Sequence, residues 1–136
     1  MKEKSEIAIK LTILKTLLIT FFCCSLSFFC NAQLAGSKWK ATLNIESGFD
    51  VLFSFSGDTL QVLSYDDGSL VETMTYSYDD SGITLTKVDG QSECEPGKPA
   101  KYNLPVTGDT ATFTVIEDSC DNRKYALDQI VMRKND

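Results

Sequence analysis

Histidine is absent from the 136-residue sequence, and tryptophan occurs once, at Trp39. Histidine is the side chain that most often serves as a general base or a transition-metal ligand, so nucleophilic catalysis supported by histidine and histidine-based zinc sites are both excluded. Positive charge is also scarce, because 13 Lys and Arg stand against 19 Asp and Glu. The resulting net charge of −6 repels phosphate backbones, and nucleic acid is not expected as a partner.

Only one long apolar run is present, from Leu17 to Phe29, and it follows four lysines. It is too short and wrongly flanked for a membrane helix, and the small residues Cys30 and Ala32 that follow it are typical of the cleavage site of a secretory signal peptide. The sequence therefore predicts a signal peptide over residues 1–32 and no stable membrane span. The mature protein is expected to be secreted or periplasmic.

A lipid anchor through Cys30 is the alternative localisation. Lipoprotein processing in bacteria prefers a small residue just before the cysteine, whereas Phe28 and Phe29 stand there in this chain. Removal of residues 1–32 takes away four of the 13 basic and two of the 19 acidic residues, which leaves nine and seventeen and a net charge of −8. The remaining residues 33–136 have the length of one small domain.

Cysteine is scarce in that domain: Cys94 and Cys120 are the two that remain of five. An even pair in an oxidising compartment is typical of a disulfide, and closing this loop stabilises a fold by roughly 3 kcal/mol on the chain-entropy model. Cys120 lies in the stretch EDSCDNR, whose carboxylates raise the pKa of a thiol and lower its reactivity. A disulfide is therefore predicted, and a nucleophilic cysteine is not.

Apolar and polar residues alternate through nearly all of residues 33–136, and short Gly/Asp turns separate the alternating runs. This period is typical of strands that bury one face. The spacing predicts an all-β domain with about eight strands, the last over Tyr125–Arg133, in an antiparallel meander. Closure into an up-and-down barrel hides the edges best; a two-sheet β-sandwich is the alternative.

The stretch Ala35-Gly36-Ser37-Lys38-Trp39-Lys40 resembles the start of lipocalin-like and wider calycin domains. In lipocalins a tryptophan of the first strand packs at the closed end of the barrel, and a basic residue near the last strand covers it. The resemblance implies that Trp39 is structural and that Arg123 or Arg133 covers it. The ending Cys-Asn-Ala-Gln of the leader is similar to exported proteins of Gram-negative bacteria.

Several aromatic side chains and one methionine are expected to point into this barrel. An eight-stranded barrel has room for its own side chains or for one small ligand, so these residues either fill the interior or line a ligand site. Buried tyrosine hydroxyls need hydrogen-bond partners, which favours a partly polar lining. The expected lining residues are Phe53, Phe55, Met74, Tyr76, Tyr78, Tyr102 and Phe113.

Charged residues at the turns offer two further interpretations. Arg123 could form a salt bridge with Asp118 or Asp121 at the corner after the strand that precedes it. The acidic turns Asp66-Asp67 and Asp79-Asp80 could attract calcium, but aspartate before glycine is ordinary hairpin chemistry. Neither a metal nor a cofactor is therefore expected.

The function predicted from the sequence is non-catalytic binding of a small apolar or amphipathic ligand inside the barrel. The alternative is an interaction or structural module with a filled barrel, which binds a protein or glycan through its acidic surface or loops. An enzyme is not expected, because no pair of carboxylates is singled out for acid–base chemistry.

Overall fold

The structure, a computed structural model, describes residues 34–136 together with Glu6, Ala8 and Lys10, which are helical and exposed. The chain divides into two units, Met1–Ala32 and Gln33–Asp136. The expected signal peptide, its cleavage site after Ala32 and the alternative lipid site at Cys30 lie outside the described residues. None of the described helices is long and apolar enough to cross a membrane.

Residues 34–136 are all-β, as predicted, except for one short helix that the sequence did not predict. The elements are β1 (Lys38–Leu43), β2 (Phe49–Ser56), β3 (Thr59–Ser64), β4 (Leu70–Asp79), β5 (Gly82–Gly90), β6 (Pro99–Asn103), β7 (Val106–Thr107), β8 (Thr110–Thr112), β9 (Thr114–Glu117), α1 (Asp121–Leu127) and β10 (Val131–Lys134). The strands pair antiparallel in one strongly curled, barrel-like sheet with the order β7-β8-β10-β1-β2-β3-β4-β5-β6-β9.

One bent stretch of chain belongs to both ends of this strand order. Strands β8 and β9 are separated only by Phe113, yet β8 pairs with β10 and β9 pairs with β6. The backbone of Phe113 stays hydrogen-bonded at the bend, because its N–H donates to the Ile130 carbonyl at 3.0 Å and its carbonyl accepts from the Gln129 N–H at 2.8 Å. The sheet is barrel-like because this one segment pairs with β10 near one end of the strand order and with β6 near the other.

The alternation in the sequence corresponds to alternating burial in the strands. In β2, for example, Val51, Phe53 and Phe55 are buried, while the residues between them are partly exposed. Strands β1, β3 and β5 repeat this pattern, so a single apolar core forms along one face of the curled sheet. This burial is the main favourable contribution to the stability of such a fold.

The predicted last strand is wrong in its first half, where helix α1 replaces it. Arg123 and Leu127 lie four residues apart and are both buried, as on one face of a helix, whereas Tyr125 between them is 71% exposed. Gln129 then takes a φ of 63° and separates the helix from β10. Within residues 34–136 the structure has ten strands instead of about eight, because residues 99–117 form four short strands.

The predicted disulfide between Cys94 and Cys120 is present, with the Cα atoms 5.6 Å apart. Cys94 lies in the loop between β5 and β6, and Cys120 is the N-cap residue of α1. The bond therefore ties the start of the helix to the loop beside it. It closes a loop over 26 positions, which restricts the unfolded chain.

Gly82 lies where β5 approaches β6 too closely for a side chain. Its φ is +124°, and a Cβ atom there would lie 2.2 Å from the carbonyl oxygen of Tyr102. We expect Gly82→Ala to lower the free energy of unfolding by about 3 kcal/mol, because the steric overlap adds to the backbone strain. Gly57→Ala is the matched control, since Gly57 has a φ of +59° and open space around the added atom.

Denaturant titration of both variants measures this difference. Gly57→Ala should lose about 1 kcal/mol, the cost of the left-handed conformation alone. Equal losses in the two variants would contradict the close approach of β5 and β6.

Candidate functional site

An apolar cleft of about 400 Å³ lies between helix α1 and inward-facing side chains of β1–β4. Most of its wall is aliphatic or aromatic, and the polar members gather where the loop after β5 meets α1. The apolar lining residues are Leu43, Ile45, Phe49, Phe53, Val62, Val71, Met74, Ala126 and Leu127, and the polar ones are Glu72, Gln91, Ser92, Asn122 and Arg123.

The local sequence explains why these side chains meet. On β4, Glu72 and Met74 are two residues apart and both buried, so they share the inner face of the strand. On α1, the pairs Asn122/Ala126 and Arg123/Leu127 are each four residues apart, which places them on one side of the helix. The cleft is therefore bounded by one face of a strand and one side of a short helix.

Arg123 enters this wall as half of a buried ion pair with Asp118. The Nε atom donates to Oδ2 of Asp118 at 2.7 Å, and Nη2 donates to Oδ1 at 2.8 Å. The hydroxyl of Tyr102 also donates to Oδ2, and the backbone N–H of Cys120 donates to Oδ1 at 2.9 Å. The Asp118 side chain is 0% exposed and that of Arg123 is 7% exposed, so water is almost excluded from the pair.

This network shifts the pKa values of its members. Burial is the largest influence on Asp118 and opposes its charged form, but the hydrogen bonds from Arg123, Tyr102 and Cys120 together hold the pKa of that carboxyl below its usual range. The hydrogen bond to Asp118 raises the pKa of Arg123 despite burial. Burial, followed by the contact with Asp118, raises the pKa of the Tyr102 hydroxyl. Asp118 is thus ionised and Tyr102 protonated at neutral pH.

One nitrogen of Arg123 has no hydrogen-bond partner. Among the described residues, Nη1 of Arg123 is the one buried side-chain nitrogen or oxygen without a partner. Because Nε and Nη2 share the edge of the guanidinium that faces Asp118, Nη1 lies on the opposite side of the group. A buried donor left unpaired costs about 1–3 kcal/mol, and more when it is charged.

A second buried ion pair lies on the inner face of β4 and β5. The Nζ of Lys87 is 3.6 Å from Oε1 of Glu72 and donates to the Ser92 carbonyl at 2.6 Å. The Ser92 hydroxyl in turn donates to Oε1 of Glu72 at 2.8 Å. Gly90 permits this arrangement, because a Cβ there would lie 2.7 Å from the Cα of Glu72.

Of the seven side chains predicted to line a ligand site, the cleft brings together Phe53 and Met74. The other five lie elsewhere in or against the core. Phe55 and Tyr76 form an edge-to-face pair at 5.0 Å, and Tyr102 and Phe113 form another at 5.6 Å. The hydroxyl of Tyr78 donates to the Leu104 carbonyl at 3.0 Å.

The lipocalin resemblance gives structural roles to three residues, and the structure shows that they differ in burial and in their contacts. Trp39 is 1% exposed on β1, and its Nε1 donates to the Ser37 hydroxyl at 2.7 Å. Arg123 forms its ion pair with Asp118, and not with Asp121, which was the other expected partner. Arg133 is exposed on β10, where it lies opposite Lys40 of β1 in the register.

Sequence reasoning missed the Glu72–Lys87 pair. The signal was the alternation itself, because Glu72 has the same parity as Met74, and Lys87 has the same parity as Leu85. Extending the inward face to charged residues would have placed both side chains inside.

The two acidic turns form ordinary hairpin contacts. Asp67 accepts hydrogen bonds from the backbone and hydroxyl of Ser69, and Asp79 accepts the same pair from Ser81. Within the described part of the chain, no group of three or more Cys, Asp or Glu side chains is placed to hold a metal ion.

We expect Asp118→Asn to lower the free energy of unfolding at neutral pH by about 3–5 kcal/mol, because it leaves the buried Arg123 charge unpaired. Since folding lowers the pKa of Asp118 below the unfolded value of about 3.9, its carboxylate stabilises the fold above that pH. The contribution decreases as the pH falls through the folded-state pKa. Urea titrations at several pH values should therefore show a flatter acid limb for the variant.

Asp121→Asn is the matched control, since its side chain is 93% exposed and lies 3.7 Å from Lys124. It should change the free energy of unfolding by less than about 0.5 kcal/mol. Similar losses in the two variants would contradict the role of the buried pair.

Comparisons of the chain with protein-family models, with curated proteins and with solved structures find no match. The geometry of the cleft and its two ion pairs is therefore the basis on which a function can be argued.

Proposed function

We propose that this protein is a non-catalytic binding protein for a small apolar or amphipathic ligand. The observation that carries the proposal is the cleft of about 400 Å³ that remains beside a well-packed core. Its size lies within the range of about 300–1,000 Å³ that is usual for small-molecule sites. A lining that is mostly apolar, with a few convergent polar groups, is the composition such sites share.

The hydrogen bonds of two buried carboxylates, Glu72 in the wall of the cleft and Asp118 behind Arg123, favour binding over catalysis. Both oxygens of Asp118 already accept hydrogen bonds from Arg123, Tyr102 and Cys120. Both oxygens of Glu72 accept from Ser92. A general base needs a free lone pair within reach of the substrate's proton. The lone-pair positions of Asp118 are all occupied, and the carboxylate of Glu72 is paired with the buried Lys87 at 3.6 Å.

The same proposal includes a closed barrel of lipocalin type. If β8 and β9 are counted as one strand bent at Phe113, and β7 as a side hairpin, eight strands follow one another as neighbours around a ring. An up-and-down barrel with that strand number can hold one small ligand. The resemblance of the stretch around Trp39 to lipocalin-like domains supports this interpretation.

We further propose that the protein acts outside the cytoplasm. The disulfide between Cys94 and Cys120 is compatible with an oxidising compartment. The charged, apolar and small-residue regions of residues 1–32 have the order of a secretory signal peptide.

A surface feature favours the alternative, an interaction module. Tyr125 is 71% exposed on α1 and borders a shallow depression with Ile45, itself 44% exposed. Glu46 and Asp128 line the same depression. An exposed aromatic ring beside carboxylates is suited to contact a protein or a glycan.

An apolar fluorescent probe such as N-phenyl-1-naphthylamine should bind this protein with a micromolar dissociation constant and brighten on binding. Ala126→Trp should weaken that binding at least about tenfold, because the larger ring would occupy the cleft that Ala126 lines. Ala35→Trp is the matched control, since Ala35 is exposed and does not line the cleft.

Fluorescence titration measures both variants, and denaturant titration confirms that each is folded. Equal binding in all three proteins would place the probe outside the cleft and contradict the proposed ligand site. Probe binding that is lost in Tyr125→Ser but kept in Ala126→Trp would favour the interaction module instead.

The full chain expressed in a Gram-negative host should be cut after Ala32, and its two remaining cysteines should resist alkylation until a reductant is added. The reason is that the small residue at Ala32 suits signal peptidase, while the oxidising periplasm keeps the disulfide intact. Intact mass measured before and after reduction tests both statements. A mass that includes acyl chains on Cys30 would establish the lipid-anchored alternative.

A further inference from the structure

One side of the sheet gathers basic residues from distant parts of the chain. Strands β8, β10, β1, β2 and β3 are neighbours in the sheet, and Asp50 is the one acidic residue that they contain. The other sixteen acidic residues of residues 33–136 lie elsewhere. The same five strands contain four of the nine basic residues, which are Lys38, Lys40, Arg133 and Lys134. Folding therefore creates a basic surface on an acidic domain, which the order of the sequence does not show.

Five side chains on this side form a row across neighbouring strands, which we call the outer row. The strands that contribute to it are, in order, β10, β1, β2, β3 and β4. The register places opposite one another, from strand to strand, Arg133, Lys40, Leu52, Leu63 and Leu70. Because neighbouring strands lie about 4.8 Å apart, the outer row is about 19 Å long. It has cations at one end and leucines at the other.

The leucines of the outer row point away from the core. Leu52 and Leu63 alternate with buried neighbours on their strands, so they lie on the opposite face from the core. The pairing with β4 shifts its register at Leu63, and Leu70 beyond this shift is 49% exposed. Tyr65 is also exposed, and its ring centre lies 3.9 Å from Nζ of Lys40. An apolar strip therefore faces the solvent next to the cations.

The positive charge at the other end of the outer row is only partly balanced. Asp50 lies 3.3 Å from Nζ of Lys40 and balances that ammonium. Within residues 34–136, no carboxylate forms a salt bridge with Arg133 or Lys38. Arg133 also stands directly opposite Lys40, and like charges at opposed positions of an antiparallel pair are destabilising. An anion bound at this end would offset that repulsion.

We propose that the outer row, together with Lys38 and Tyr65, docks on a lipid surface that carries anionic head groups. The cations contact the head groups, and the leucines and the tyrosine lie at the level of the interface, where such side chains are favoured. The net charge of −8 on residues 33–136 opposes this docking only at long range. Since charges are screened over about 8–10 Å at physiological salt, the cations nearest the surface dominate at contact.

The shape of this surface favours a fluid partner over a folded one. Hot spots between proteins lie in well-packed pockets. The outer row instead follows the convex side of the curled sheet, and none of its residues lines the cleft or the depression beside Tyr125. A lipid layer adapts to such a surface without matching relief. A second copy of the chain bound through the same face would add its own unbalanced cations to the interface.

Co-sedimentation with vesicles tests the proposal on the protein purified after export of the full chain. Vesicles of phosphatidylcholine and phosphatidylglycerol in equal parts should bind it at least about tenfold more tightly than vesicles of phosphatidylcholine alone. Raising the salt from about 0.05 M to about 0.5 M should remove most of this preference, because screening becomes stronger.

Two variants test the two ends of the outer row separately. Arg133→Glu should weaken binding to the phosphatidylglycerol vesicles about tenfold, because it reverses a charge at the contact. Leu70→Ser should weaken it about fivefold, because it removes apolar area from the interface. The matched controls are Lys98→Glu, on an exposed side chain before β6, and Ile116→Ser, on an exposed side chain of β9. Both controls should bind as the unaltered protein does, and denaturant titration confirms that all four variants are folded.

Several results overturn the proposal. Equal binding to the two kinds of vesicle does so, as does binding to neither, and so does a loss in Lys98→Glu as large as that in Arg133→Glu. Ala126→Trp, which fills the cleft, should keep vesicle binding, and a loss there would assign the lipid to the cleft instead. Light scattering without vesicles tests for a second copy as the occupant, and a dimer that Leu70→Ser abolishes would replace the lipid surface. All of these readouts are independent of the probe that tests the cleft.

Discussion

The ion pair between Arg123 and Asp118 is the interaction on which the rest of the domain depends. Asp118 follows β9 directly, Arg123 belongs to α1, and the Tyr102 hydroxyl reaches the same carboxylate from β6. Since both charges are buried, neither side chain can be lost without leaving the other uncompensated. The disulfide at Cys120 adds a covalent restraint one turn away, so α1 is held at the place where it closes the cleft.

The all-β fold and the disulfide could be predicted because each has a local cause. A strand with one buried face has to alternate, and Val51, Phe53 and Phe55 do so. The pairing of Cys94 with Cys120 follows from their being the two cysteines outside residues 1–32. Helix α1 could not be predicted in the same way, because seven residues carry too short a pattern and its burial depends on tertiary contacts of Arg123 and Leu127.

The candidate site was less predictable than the fold because it depends on which neighbours meet across the sheet. Among the expected lining residues, Phe53 and Met74 do line the cleft, but Tyr102 and Phe113 pack against each other instead. Phe53, Met74 and Tyr102 all occupy buried positions of their own strands, so alternation alone cannot separate core filling from ligand lining. The choice between Asp118 and Asp121 as the partner of Arg123 likewise depended on the helix that was not foreseen.

Among the residues that the structure describes, Nη1 of Arg123 is the one buried side-chain donor without a partner. Glu72, Lys87 and Asp118 all have their partners, and the tyrosine hydroxyls of Tyr78 and Tyr102 do as well. A residue with fewer donors than Arg123 would leave no unpaired nitrogen, but Asp118 would then lose hydrogen bonds that it accepts from the guanidinium. Local violations of this kind are expected at functional sites. The unpaired nitrogen of Arg123 is a cost that the fold keeps, because the same guanidinium holds the buried carboxylate of Asp118.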